Sequence, residues 1–183
     1  VSVHQQSFPD FFLTALGNRF LAAFYSALIR HPSSIAYVST DSGRIQGFAV
    51  GSDTPAGFYR QLLRRHLLQF AAAGIRPFLK NPRILPRLIR AFQKPKEVDR
   101  GSGVGTLMSL AVAPLAQSGG RGWELVQAFA EEARCRNLSS INVTTDANRN
   151  EKVNAFYLRN GFILKNQFTT PEGRVMNEYD LSL

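Results

Sequence analysis

Three glycines lie within four residues where an apolar segment meets the start of a predicted helix. The segment QSGGRG, residues 117–122, follows the apolar run 106–112 and precedes a helical pattern that begins at Trp123. Glycine lets the backbone approach a ligand closely, and the first amides of a helix have no partner within it. Such a turn can bind an anion, a phosphate above all. A tight turn without a ligand is the alternative. The three glycines beside Gln117, Ser118 and Arg121 favour the anion site.

Two other glycine-rich nucleotide sites are excluded by the neighbouring residues. A P-loop needs Lys and then Ser or Thr after its last glycine, whereas Trp123 and Glu124 follow Gly122 here. The segment GSGVGT, residues 101–106, has the spacing of a dinucleotide fingerprint but ends in Thr106 and precedes a strand instead of a helix.

The turn is one of two motifs that this sequence shares with the GNAT superfamily of acyl-CoA-dependent N-acetyltransferases. Residues 117–122 resemble the family's Q/R-x-x-G-x-G/A motif. Residues 150–162, NEKVNAFYLRNGF, are similar to its later signature through Asn150, Tyr157, Gly161 and Phe162. The resemblance extends from residue 107 to the C-terminus, and residues 55–100 match nothing general in the family.

The resemblance implies transfer of an acetyl group from acetyl-CoA, or of another acyl group from its CoA thioester, to an amine. The turn and helix start would hold the CoA pyrophosphate, and backbone groups on the strand would pair with pantetheine and polarise the thioester. Two asparagines would bind the pantetheine arm or cap a helix. The cofactor-binding residues so implied are Leu110, Ala111, Val112, Gln117, Ser118, Gly119, Gly120, Arg121, Gly122, Trp123, Asn150 and Asn154.

Tyr157 is the implied catalytic residue, because a tyrosine at this position of the family can protonate the departing thiolate. The alternative is an aromatic side chain that anchors a short helix on the sheet. No acid stands in residues 107–112, where many relatives carry a glutamate that serves as the general base. Asp146 and His66 are the alternatives to it, as are a chain of water molecules and an amine that binds neutral.

Hydrophobic periodicity predicts an α+β protein with a mixed sheet and helices packed on it. Gly74 and Pro77 are expected to end the amphipathic helix of residues 57–74, and Asn18 to cap the first helix. The predicted elements are a helix at 18–31, a β-hairpin at 35–52, helices at 57–74 and 81–92, a strand at 107–112, a helix at 123–136, a strand at 140–145, a helix at 150–160 and a hairpin at 162–181. The resemblance implies the GNAT fold, in which strands 107–112 and 140–145 splay apart.

The net charge of +9 belongs to one segment. Residues 60–100 contain eleven Lys or Arg and two acids, so basic and acidic residues balance in the rest of the chain. We therefore expect a single acetyltransferase domain, residues 1–183, with a basic helical insert at about 54–100. The insert is interpreted as a solvated helix face, as a lid that attracts an anionic acceptor, or as a surface that rests on an anionic membrane. Nucleic acid is disfavoured because few aromatic residues are free for stacking.

The remaining composition indicates a cytoplasmic enzyme without a metal. The single cysteine, Cys135, excludes an internal disulfide and a cysteine-rich metal site and fits a reducing compartment. The sequence shows no secretory signal pattern and no uncharged segment long enough to span a membrane. We expect the acceptor to be an amino sugar or another small metabolite. The opposing hypothesis is a catalytically silent GNAT-fold module that binds CoA or an anionic partner.

Overall fold

The structure is a computed structural model that describes residues 1–80 and 103–183, except the side chains of residues 75–80 and of Ser118. Six strands form one sheet: β1 Ser34–Asp41, β2 Arg44–Ser52, β3 Val104–Val112, β4 Ser140–Asp146, β5 Ile163–Thr169 and β6 Val175–Ser182. The described helices are α1 Ser2–Ser7, α2 Gly17–Ile29, α3 Phe58–Lys80, α4 Arg121–Cys135 and α5 Glu151–Arg159, with short 3₁₀ turns at Thr14–Leu16 and Pro114–Gly119. This order confirms the α+β class.

The strand order in the sheet is β1-β2-β3-β4-β6-β5, and β3 and β4 form its parallel pair. The hairpin predicted at residues 35–52 is present as β1 and β2. Ser42 and Gly43 join these strands with φ angles of 47° and 75°, which are the positive values that a tight two-residue hairpin turn requires.

Helices cover both faces of the sheet. On the first, called the α4 face, Leu125, Val126, Phe129 and Ala133 of α4 are buried and pack in one cluster with residues of β3, β4 and β6. On the second, called the α2 face, α2 and α3 bury Phe20, Phe24, Phe58, Leu62 and Phe70 in a separate cluster with Val50 of β2. Helix α1 packs over the end of β3 through Val3, which contacts Ala111 and Ala113. Strand β3 is therefore packed on one face by the cluster of the α4 face and near its C-terminal end by α1.

Two features of the helices were wrongly predicted from local sequence signals. Asn18 is not a cap: α2 begins at Gly17 without a side-chain cap, and the Asn18 Oδ1 accepts a hydrogen bond of 2.6 Å from Gln5 Nε2. Helix α3 runs through Gly74 and Pro77 to Lys80, because a helix can continue past a proline by losing one hydrogen bond when its packing compensates. Its irregularity lies at His66, with φ −121° and ψ 18°.

Residues around that irregularity are turned to solvent. Leu67 is 61% exposed, and Leu68 is 85% exposed. The helix predicted at residues 81–92 lies outside the described residues. Within residues 1–80 and 103–183, no helix has the length and apolarity to cross a bilayer, and no three potential metal ligands of the His, Cys, Asp or Glu type come together.

Candidate functional site

A gap opens between β3 and β4, as the resemblance implies. The two strands pair over three positions, Val104 with Ser140, Gly105 with Ile141 and Thr106 with Asn142. Beyond them, β3 stays paired with β2 to Val112, and β4 stays paired with β6 to Asp146. Each strand therefore keeps its outer neighbour while the inner ladder stops, which leaves backbone groups facing a wedge. We call this wedge the β3–β4 gap.

Alternation along β3 decides which backbone groups face the gap. The Ala113 amide donates to the Gln46 carbonyl across the β2 side at 2.7 Å. The backbone N–H and C=O groups of successive residues in a strand point to opposite neighbours. The backbone groups of Ala111 therefore also face β2, whereas those of Leu110 and Val112 face the gap. The Val112 carbonyl already accepts from Ser7 Oγ at 3.1 Å and Gln117 Nε2 at 3.2 Å. The Leu110 amide and carbonyl and the Val112 amide remain for a ligand.

The glycine turn stands at the open end of this gap. Gly120 has φ 75°, and α4 begins immediately after it without a side-chain cap. The amides of Trp123 and Glu124 donate to the Gly120 carbonyl at 2.9 and 3.1 Å. The helix-start amides without a partner in the helix are therefore those of Arg121 and Gly122, and the helix dipole adds partial positive charge there.

Space around the turn is open. A Cβ added at Gly120 would meet nothing within 4 Å, although the positive φ there would strain any other residue. At Gly119 it would meet only Arg121 Nε at 4.0 Å, and at Gly122 the nearest atoms would be ring carbons of Phe156 at 3.4 and 3.5 Å. A bulky group such as a phosphate can therefore reach the backbone of this turn.

Arg121, the cation of the turn, is directed towards the end of β1. Its guanidinium donates to Asp41 Oδ2 at 2.9 Å and to Ser39 Oγ at 3.3 Å, and a quarter of its side chain is exposed. The Trp123 side chain is partly buried against the α4-face cluster. The backbone amides of the turn are therefore more accessible to a ligand than the side chains of Arg121 and Trp123.

Tyr157 of α5 is buried in the cluster that also contains Leu107 of β3 and Val143 of β4, the strands that flank the gap. Its ring lies 5.7 Å from that of Tyr179 and 5.1 Å from that of Phe162. Burial raises the pKa of its phenol, so the proton stays on at neutral pH. Within the described residues the Tyr157 hydroxyl makes no hydrogen bond. Its oxygen is also not completely enclosed by protein atoms. A protonated hydroxyl that protein groups leave unused can serve as a proton donor.

Asn150 and Asn154 connect the end of β4 to α5. Asn150 Nδ2 donates to Thr145 Oγ1 at 2.7 Å and to the Asp146 carbonyl at 3.2 Å, and its side chain does not cap the helix. Asn154 Nδ2 donates to the carbonyls of Asp146 and Asn150 at 3.0 and 2.9 Å, while its Oδ1 accepts from Asn177 and Tyr179. Both amides are engaged in holding the helix on the strand.

The two side chains considered from sequence as a general base have other partners. Asp146 receives two hydrogen bonds from the guanidinium of Arg174, at 3.0 and 2.6 Å. His66 lies on α3, where its Nδ1 is 3.1 Å from Gln69 Oε1. Neither side chain therefore stands as an unengaged carboxylate or imidazole.

A buried polar chain on the α2 face escaped the sequence analysis. His4 is 2% exposed, and its Nδ1 lies 2.7 Å from the hydroxyl of Tyr25. Burial lowers the pKa of His4 to about 4 and raises that of Tyr25 to about 12, the latter partly offset by a hydrogen bond to Ser109 of β3. The three residues are far apart in sequence, so no local spacing could have joined them.

A second polar cluster, also missed, lies where β3 and β4 part. Asn142 is 1% exposed, and its Nδ2 donates to Glu178 Oε1 at 3.0 Å and Asp180 Oδ1 at 2.7 Å. Asn142 Oδ1 and Thr106 Oγ1 are enclosed and have no partner. Residues 142, 178 and 180 come together only through the register of β4 on β6.

Comparison with known proteins places this architecture in a family. The family model for the Acetyltransferase (GNAT) family matches residues 2–162. No curated protein sequence gives a significant match.

Solved structures support the fold at low sequence identity. An aminoglycoside 6'-N-acetyltransferase complexed with coenzyme A is 12% identical with a TM-score of 0.61, over 99% of this chain and 87% of that one. Ard1 from Thermoplasma volcanium is 15% identical with a TM-score of 0.59, over 100% and 87%. The ribosomal-protein-S18-alanine N-acetyltransferase from Escherichia coli is 14% identical with a TM-score of 0.57, over 99% and 83%. The family match over most of the chain, together with the β3–β4 gap and its glycine turn, shows that this chain belongs to the GNAT family of acetyltransferases.

Proposed function

We propose that this protein is an N-acetyltransferase that moves the acetyl group of acetyl-CoA to the primary amine of a small molecule. The observation that carries the proposal is the β3–β4 gap with an uncapped glycine turn at its open end. The turn offers the amides of Arg121 and Gly122 to the pyrophosphate, and the gap offers the backbone of Leu110 and Val112 to the pantetheine arm. The coenzyme A complex of the aminoglycoside acetyltransferase, which shares the fold, supports CoA as the donor.

The proposed reaction is attack of the amine nitrogen on the thioester carbonyl carbon. A C–N bond forms, and the carbonyl oxygen gains negative charge that a gap-facing β3 amide stabilises. The C–S bond then breaks, and the thiolate takes a proton from the Tyr157 hydroxyl. The amine nitrogen loses its proton to solvent water, and the Tyr157 phenolate regains one from the solvent. Burial raises the pKa of Tyr157, so the phenol carries its proton at neutral pH.

The acceptor we propose is an amino sugar or another small amine. Neighbours of the same fold include enzymes named for an aminoglycoside and for a ribosomal protein, so the fold leaves the acceptor class open. The competing proposal is a module that binds CoA without catalysis. The salt bridge that engages Arg121 and the absence of a carboxylate on β3 among the described residues favour it.

Release of free CoA separates the two proposals. Acetyl-CoA is incubated with the protein and a panel of amino sugars, diamines and amino acids, and the free thiol is measured. We expect amine-dependent CoA release by the wild type and a loss of roughly 10²–10⁴-fold in Tyr157→Phe. Tight binding of CoA without release of free CoA in the presence of any amine would support the proposal of a CoA-binding module without catalysis.

A further inference from the structure

Helix α3 carries two leucines and two arginines that take no part in the core or in the candidate site. They are Arg64, Arg65, Leu67 and Leu68, which flank the non-helical backbone of His66, and we call them the kink patch. Leu68 is 85% exposed and Leu67 is 61% exposed, and both arginines are exposed as well. Because these residues are separated by four positions or fewer on one helix, they form a continuous surface.

The two leucines are not needed to hold α3 on the protein. The packed side of the helix is formed by Phe58, Leu62 and Phe70, which are at most 4% exposed in the cluster with α2. Single leucines at a surface are common, whereas two adjacent leucines at this exposure place a compact apolar area in water. A partner that takes this area out of water would therefore be stabilised on the patch.

The kink patch also carries positive charge that no carboxylate compensates. Within the described residues, neither Arg64 nor Arg65 forms an ion pair. Helix α3 contains no Asp or Glu among its 23 residues, and Arg60, one turn before Arg64, is exposed too. The partner that complements the patch therefore combines negative charge with an apolar phase.

An anionic lipid bilayer has both properties, since it presents headgroup phosphates above acyl chains. A nucleic acid would pair with the arginines but leave the leucines in water, and the patch has no Phe, Tyr or Trp on which bases stack. In a symmetric dimer, the arginines of two copies of the patch would face each other, with no acid on α3 to separate them. Charge and apolarity together therefore favour the bilayer over these two partners.

We infer that the kink patch is a docking surface for an anionic lipid bilayer. Arg64 and Arg65 bind headgroup phosphates, and Leu67 and Leu68 enter the boundary with the acyl chains, about 5–10 Å deep. The attachment is peripheral and reversible, because each arginine at an anionic surface strengthens binding by only about fivefold. The inference does not depend on the proposed function, because neither CoA nor an amine takes part in the contact.

Sedimentation with lipid vesicles tests this docking surface. The full chain is mixed with vesicles of phosphatidylcholine alone, or with vesicles in which about a third of the lipid is phosphatidylglycerol, and the bound fraction is measured at rising lipid concentration. We expect the wild type to bind the anionic vesicles at least about tenfold more tightly than the neutral ones. Raising the salt concentration should weaken this binding.

A pair of double variants separates the charge of the patch from the net charge of the protein. Arg64→Glu combined with Arg65→Glu should weaken binding to anionic vesicles at least about tenfold. The matched control combines Lys152→Glu with Lys165→Glu, which changes the net charge by the same amount at exposed lysines of α5 and β5. The control should lose less than about threefold, because its charges lie outside the patch.

A second pair tests the leucines. Leu67→Ser combined with Leu68→Ser should weaken binding to anionic vesicles at least about fivefold, because less apolar area leaves water. The matched control combines Val38→Ser with Ile45→Ser, which removes two apolar side chains that are 56% and 54% exposed on the first hairpin. This control should bind the vesicles as the wild type does.

Four results would each overturn the docking surface: no binding of the wild type at millimolar lipid, equal binding to neutral and anionic vesicles, unchanged binding in the folded patch variants, or an equal loss in the lysine control. If the arginine variant loses binding while the leucine variant keeps it, the patch is a general anion-binding surface, and the bilayer proposal fails as well.

Discussion

The adjacent phenols of Tyr157 and Tyr179 allow a catalytic hydroxyl to be separated from a structural one. Their rings stack 5.7 Å apart in the same buried cluster. The Tyr179 hydroxyl donates to Asn154 Oδ1 at 2.9 Å and accepts from Asn177 Nδ2 at 3.2 Å. The Tyr157 hydroxyl has no such partner among the described residues. Removing the hydroxyl of Tyr157 and removing that of Tyr179 should therefore change stability and activity differently.

Tyr157→Phe should lower kcat by roughly 10²–10⁴-fold while the free energy of unfolding changes by less than about 0.5 kcal/mol. No protein hydrogen bond is lost, and the ring keeps its contacts. Tyr179→Phe should lower the free energy of unfolding by about 1–3 kcal/mol, because two buried hydrogen bonds, those of its hydroxyl to Asn154 and from Asn177, are lost. Its kcat should fall far less than that of Tyr157→Phe.

Urea unfolding gives the stability of both variants, and release of CoA at saturating amine gives kcat. A Tyr157→Phe protein with full kcat would show that this residue contributes only to packing and not to catalysis. A Tyr157→Phe protein destabilised as much as Tyr179→Phe would show that the hydroxyl is bonded in the folded protein, and the proton-donor argument would fail.

Two further predictions concern other parts of the chain. Because burial holds the folded-state pKa of His4 at about 4, below its ordinary 6.5, its contribution to stability is present above pH 6.5 and is lost as the pH falls towards 4. Urea unfolding should show about 2 kcal/mol of this loss between pH 7 and pH 5, and His4→Leu should remove it; an equal slope in both proteins would contradict the assignment. Arg64 and Arg65 are exposed on α3, and if the basic insert is a lid over the acceptor, replacing both by Glu should weaken binding of anionic amines and its salt dependence while CoA affinity stays constant. Unchanged binding of every acceptor in the calorimeter would leave these arginines as a solvated surface.

Features governed by local chemistry were predictable from the sequence. The hairpin predicted at residues 35–52 is present, and Ser42 and Gly43 adopt the positive φ angles that its turn needs. Gly161 follows the end of α5 with φ 83°, as expected of a residue that terminates a helix. The buried side of α4 followed from its 3.6-residue period.

Features governed by long-range pairing were not predictable. Asn142 meets Asp180 across 38 residues, and Arg121 meets Asp41 across 80, so each contact depends on strand register or helix docking. The predicted end of α3 at Gly74 and Pro77 was wrong for a related reason. Propensities at single residues are worth a few kcal/mol, and the packing of a whole helix can exceed them.

Calorimetric titration of acetyl-CoA into the wild type, Gly122→Glu and Gly122→Gln tests the central claim most directly. A Cβ at Gly122 would meet the Phe156 ring at ordinary contact distance, so both variants should fold, and the pair separates negative charge from bulk. The wild type should bind, the Gln variant should bind more weakly, and the Glu variant should not bind, since its carboxylate stands where the pyrophosphate meets the helix start. Equal affinity in all three folded proteins would contradict a CoA site at the glycine turn.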